Sequence, residues 1–121
     1  AETEVVYENT AAAVVSGALE VFSTPSMIAL MEKASRELVQ PYLEEGQSTV
    51  GTRLEVSHVA ASPIGAHIRA ESTLVEIDRR MLTFEVKAYA DGELIGEGRH
   101  QRCIIYAERF MEKALAKQKK A

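Results

Sequence analysis

The sequence predicts an α+β fold in which a curved antiparallel sheet wraps around one long central helix, with a short helix at the C-terminal end. Three observations carry this. A capped, strongly apolar helical stretch occupies residues 23 to 40. The second half switches to two-residue alternation in four successive segments. Only a polar, charged tail follows, so one helix has to cover the sheet.

Taken in order, Val5 to Tyr7 could start a strand. Thr10 to Val15 is small and apolar and fits strand, short helix or loop, with Gly17 as a break. Ala18 to Phe22 reads as a short strand feeding the helix. Ser23 or Thr24 can cap that helix, and Pro25 fits its first position, where a missing N–H costs nothing. Met27, Leu30, Met31, Ala34 and Leu38 recur at helical spacing as one apolar face, with Ile28 and Val39 adding apolar surface elsewhere. The helix should end at Val39 or Gln40, because Pro41 disfavours helical geometry in the residue before it. Pro41-Tyr42-Leu43 could add a turn, and Glu44 to Gln47 is a polar turn.

Val50, Thr52, Leu54, Val56 and His58 alternate with polar neighbours and predict a strand with one apolar face. Ser62 to Gly65 is turn chemistry. Ala66 to Ile77 is a long strand, turned by Asp78-Arg79-Arg80. Leu82 to Ala90 is a half-buried strand, and Asp91-Gly92 is a hairpin signal. Leu94 to Tyr106 is the last strand, whose Gly96 and Gly98 suggest a bend or a close backbone approach. Ala107 to Lys120 ends the chain as a polar helix anchored by Phe110, Met111, Ala114 and Leu115. One helix covers only part of such a sheet, so open strand edges predict pairing with a second copy: a homodimer, or a tetramer.

The 121 residues, 46% of them hydrophobic, suit a single domain spanning 1–121. A net charge of −4 gives no reason to expect nucleic-acid binding. The one cysteine, Cys103, excludes an internal disulfide and suits a reducing cytoplasm; it reads as a small core filler. No run approaches the length of a membrane span, and no secretory signal is visible at the start of the sequence. Scattered histidines show no metal-ligand spacing, and no cofactor is expected.

Three polar residues lie on surfaces that otherwise read as apolar: Thr24, Glu32 and His58. Each has an ordinary alternative. Thr24 could be a cap, Glu32 an exposed carboxylate paired with Arg36, and His58 a structural strand-end residue. His67 and His100 read as sheet-surface residues. Thr24 and Glu32 stand roughly 12 Å apart along a helix axis. They cannot touch, so a substrate, a water or His58 lies between them, or one of them acts across a dimer interface. A hydroxyl, a carboxylate and an imidazole together can orient a water and shuttle a proton. Backbone N–H groups at the helix start or near Gly51 could polarise a carbonyl.

Several segments resemble the hotdog-fold thioesterases of the fluoroacetyl-CoA thioesterase type. They are Val21 to Thr24 through Met27, Leu30 to Ala34, Pro41-Tyr42-Leu43, Val50-Gly51-Thr52, Val56-Ser57-His58, Ala60 to Gly65 and Ile95 to Arg102. The likeness covers roughly residues 18 to 110. It implies hydrolysis of an acyl-CoA thioester, with coenzyme A part of the substrate, by a Thr, a Glu and a His that correspond to Thr24, Glu32 and His58. Gly51 corresponds to the glycine near the acyl carbonyl. The chain departs from the fluoroacetyl-specific enzymes in its small-residue segment Thr10 to Gly17, in Pro25 and in Lys33. A short or medium acyl-CoA is therefore the expected substrate. Arg53, Arg79, Arg80 and Arg99 are candidates for the CoA phosphates. The alternative is a non-catalytic module that holds an acyl-CoA or another apolar ligand. Hydration chemistry is disfavoured, since residues 20 to 40 lack the Asp-His or Asn-His pattern of hydratases on this fold.

Overall fold

The computed structural model describes residues 1–118. Strand β1 (Glu2–Glu4) precedes a 3-10 turn at Tyr7–Asn9 and the long helix α1 (Thr24–Val39). A second 3-10 turn, Gln40–Tyr42, follows. Then come β2 (Gln47–His58), β3 (His67–Asp78), β4 (Met81–Ala90), β5 (Glu93–Tyr106) and α2 (Ala107–Gln118). The strands form one antiparallel sheet in the order β1-β3-β4-β5-β2, and α1 packs on its inner face. Among the described residues no helix is long and apolar enough to cross a membrane.

Ser23, not Thr24, caps α1. Its hydroxyl accepts from the Ser26 backbone N–H at 3.1 Å, which satisfies one orphan donor of the first turn. Thr24 is the first helical residue and stays exposed, so its hydroxyl is free for another partner. Ser23→Ala is expected to lower stability by about 1 kcal/mol, measured by chemical denaturation.

The buried face of α1 is Met27, Leu30, Met31, Ser35 and Val39. Leu38, expected on that face, is 41% exposed. Four-residue steps from Met27 through Met31 reach Ser35 and Val39, and Leu38 falls to the side. Ser35 is tolerated inside because its hydroxyl donates to the Met31 carbonyl at 3.0 Å and meets Ser72 Oγ at 2.8 Å.

Strand β2 carries a β-bulge between Gly51 and Arg53 that leaves Thr52 without a residue opposite it in the register with β5. This overturns the expected single face from Val50 to His58. Thr49 and Gly51 point inward before the bulge; Leu54, Val56 and His58 do so after it. The inner face then reads across the sheet as Gly51–Arg102–Leu82, Leu54–His100–Phe84, Val56–Gly98–Val86 and His58–Gly96–Ala88. The expected glycine contacts are present. A Cβ on Gly96 would meet Met27, and one on Gly98 would meet the backbone of Glu55 and Val56. The β4–β5 hairpin turns on Asp91 and Gly92, with φ of 47° and 85°, as a primed two-residue turn requires.

Other expectations fail locally. Strand β1 lies at Glu2–Glu4, and Tyr7 starts a 3-10 turn. Residues 18 to 22 form no strand beyond isolated bridges, Thr10 with Phe22 and Val21 with Pro63. Cys103 is only half buried. Helix α2 buries none of its residues: Phe110, Met111 and Leu115 are 41%, 52% and 55% exposed, so they do not anchor it in this chain. The expected end of that helix, Lys119 and Lys120, lies outside the described residues.

Candidate active site

The four residues singled out in the sequence fall into two pairs, each in its own cleft. Thr24 Oγ1 lies 2.7 Å from His58 Nδ1, joining the start of α1 to the end of β2. This pair opens on a cleft of about 300 Å³ whose walls include Phe22, Val59, Ala60 and Ala61, with Ala11 and Ser16 of the small-residue segment at its rim. Glu32 and Gly51 line a second cleft of about 440 Å³, with Ile28, Leu54 and His100. His58 does not bridge Thr24 to Glu32; no hydrogen bond described in the chain links the two pairs.

Burial pushes the pKa of His58 below 6.5, because a charged imidazole loses hydration there; the Ala60 backbone opposes part of this. Its Nε2 is buried with no hydrogen-bond partner. The lowered pKa favours the neutral ring, whose Nδ1 faces the Thr24 hydroxyl. Among the described residues, the side-chain oxygen hydrogen-bonded to this ring is that of Thr24.

Glu32 is half-buried, and its partner is not Arg36. Arg102 Nη1 donates to Glu32 Oε2 at 3.4 Å from a guanidinium whose side chain is only 6% exposed. Thr49 takes two further Arg102 hydrogens, Nε to Oγ1 at 2.7 Å and Nη2 to the carbonyl at 2.9 Å. The fourth partner is His100 Nε2, 3.1 Å from Nη1. A buried guanidinium is tolerable only with its donors satisfied in this way. Gly51 leaves the space they share: a Cβ there would stand 2.8 Å from Glu32 Oε2.

Sequence reading missed Thr49, Arg102 and the burial of His100. The one available signal was parity, since Gly98, His100 and Arg102 occupy the same face of β5. His67 is a surface residue as expected, paired with Glu2 at 2.8 Å. Arg53 and Arg99 pair with Glu55 and Glu85 at 2.9 and 3.6 Å on the outer face of the sheet.

Burial holds both His58 and His100 below 6.5. An unfolded chain takes up those protons more readily, so this contribution to stability is complete above 6.5 and is lost as pH falls through the lowered values. The thermal midpoint is expected to drop between pH 7 and 5, with a smaller drop in a His100→Gln variant.

Residues 5–108 match the family described as FlK, fluoroacetyl-CoA-specific thioesterase. The chain is 38% identical to the fluoroacetyl-CoA thioesterase of Streptantibioticus cattleyicolor over 98 residues, covering 81% of this chain and 70% of that protein. An FlK variant solved with fluoroacetate and CoA superposes with a TM-score of 0.91 at 32% identity, over 97% of this chain and 96% of the other. A Thermus thermophilus protein described as a thioesterase superfamily member superposes at 0.88 and 28% identity, over 99% of this chain and 91% of that one. One helix cradled by a five-stranded antiparallel sheet, with this likeness, defines a hotdog-fold protein of the thioesterase class. Within that class, the chain belongs to the fluoroacetyl-CoA-specific thioesterase (FlK) family.

Proposed function

We propose that the chain hydrolyses a short or medium acyl-CoA thioester at a site completed by two copies: Thr24 and His58 from one, Glu32 and Gly51 from its partner. The observation that carries this is the 2.7 Å pairing of a hydroxyl with a neutral imidazole beside an open cleft. His58 takes the Thr24 proton as Oγ1 attacks the thioester carbonyl, and the departing CoA thiolate receives that proton. A water then attacks the acyl-threonine, gives its proton to His58 and releases the acid, and Thr24 recovers its hydrogen. The partner's Glu32 orients that water, and the missing side chain of Gly51 makes room for the acyl group.

An open edge of the sheet supports the two-copy arrangement. Strand β2 is 12 residues long and is paired on one side only, with β5. Such an edge is completed by a second β2 across a two-fold axis. The acyl-CoA substrate is supported by the relatives' complexes with CoA and fluoroacetate.

The test is a panel of acyl-CoAs from acetyl and fluoroacetyl to octanoyl, followed by thiol release. Turnover that rests on Thr24 and His58, with a Thr24-linked acyl mass in quenched samples, supports the reading. Saturable binding with no thiol release would instead favour a binding module. Because His58 must be neutral, kcat/KM is expected to be full above 6.5 and to fall on acidification with a midpoint below that value.

A further inference from the structure

We propose that His100 is a positioning residue: its bare Nε2 accepts from Arg102 and so aims the guanidinium at Glu32, holding the carboxylate in one orientation at the mouth of its cleft. The inference rests on the reading of Glu32 as a site residue.

His100 is 1% exposed on the inner face of β5, with its ring against Phe84 at 6.2 Å. Both ring nitrogens are specified. Nδ1 lies 2.8 Å from the Arg53 carbonyl, which can only accept, so Nδ1 carries the hydrogen. Nε2 lies 3.1 Å from Arg102 Nη1, which can only donate, so Nε2 is bare. The ring is thereby neutral and fixed in one tautomer. Burial and the adjacent Arg102 cation both favour that neutral form.

Arg102 has little freedom left. Thr49 holds one edge of the guanidinium through Nε and Nη2, and His100 holds Nη1. The remaining Nη1 hydrogen is directed at Glu32 Oε2, 3.4 Å away. A Cβ on Gly51 would fall within 3.6 Å of all three groups: Glu32 Oε2, His100 Cε1 and Arg102 Nη1. They converge on one point of the cleft. Without an acceptor at Nε2, the guanidinium loses its side anchor and a half-exposed carboxylate is free to turn to solvent. The same ring thus ties β2, through Arg53, to the orientation of a residue on α1.

Three measurements test this. In the wild-type protein, ¹⁵N spectra of the histidine ring should show His100 with hydrogen on Nδ1 and a bare Nε2; the opposite tautomer overturns the proposal. In turnover assays with fluoroacetyl-CoA, acetyl-CoA and hexanoyl-CoA, His100→Leu should lower kcat by about 100-fold with KM little changed. His100→Gln places an amide oxygen near the Nε2 position and should recover most of that loss. Unchanged kcat in His100→Leu, alongside an impaired Glu32→Gln, overturns it. If Glu32→Gln turns over normally, the catalytic reading of Glu32 fails and the relay is judged on the Arg102 Nη1–H signals. Slow exchange with water in wild type and His100→Gln but not in His100→Leu supports it, and equal exchange in all three overturns it. The tautomer is read in the wild-type protein, so a His100→Leu variant that does not fold leaves the proposal open to refutation.

Discussion

His58→Ala is expected to lower kcat by about 1,000-fold on any acyl-CoA that the wild type turns over, with the fold retained. A positioned general base is worth about 100- to 10,000-fold, and no other imidazole reaches Thr24 to replace it. Thr24→Ala should cost a similar factor, whereas Thr24→Ser keeps the oxygen and should retain part of the rate. The two losses should not multiply, because the hydroxyl and the ring act as one unit at 2.7 Å. Thiol release at saturating substrate measures all four proteins, with circular dichroism as the folding control. A His58→Ala enzyme at wild-type kcat would leave the hydroxyl–imidazole pair without a catalytic role.

Gly98→Ala is expected to be the most damaging small change to stability. A Cβ at Gly98 would enter the Glu55 carbonyl and stand 2.6 Å from Val56 Cα. Those atoms are backbone, so nothing swings aside; β2 has to separate from β5. Overpacking of this kind costs about 3 kcal/mol or more, a thermal midpoint lower by roughly 10 °C or more. Gly92→Ala is the control. Gly92 has φ 85° but nothing within 4 Å of the added carbon, so it suffers only local backbone strain of about 1 kcal/mol. Calorimetry on both variants separates collision from strain. Equal midpoints would mean that β2 and β5 yield more easily than their backbone contact implies.

Much of the fold was legible because local chemistry and global packing agree along most of the chain. Ser23-Thr24-Pro25 announced the helix, Asp91-Gly92 announced the last hairpin, and alternation announced β3 and β4. The failures have specific causes. Leu38 outvoted Ser35 on hydrophobicity, although the helix repeat favours Ser35, whose hydroxyl is satisfied locally. The bulge at Thr52 reversed the face of β2, and one extra residue leaves no trace in composition. Phe110, Met111 and Leu115 were read as anchors of α2, yet an amphipathic pattern does not say whether its apolar face finds a partner within the chain.

The site was legible as a set of residues and not as an arrangement. Thr24, Glu32, His58 and Gly51 stood out individually, and Thr24 and His58 do meet. Their division into two clefts depends on the direction of β2 along α1, which spacing does not encode. Arg102 and His100 were missed for a different reason. A charged residue on a strand reads as exposed unless its partners are known, and here the partners are a threonine and a carboxylate 53 and 70 positions away.

The central claim, that one chain supplies Thr24 and His58 while its partner supplies Glu32, is tested most directly by a mixed dimer. His58→Ala and Glu32→Gln chains, co-expressed with different affinity tags, are isolated as the heterodimer and assayed for thiol release. If the site spans two chains, one of the two sites is intact and about half the wild-type kcat returns, although each parent homodimer is impaired. A heterodimer no more active than its parents would contradict the account, because both residues would then have to act within the same chain.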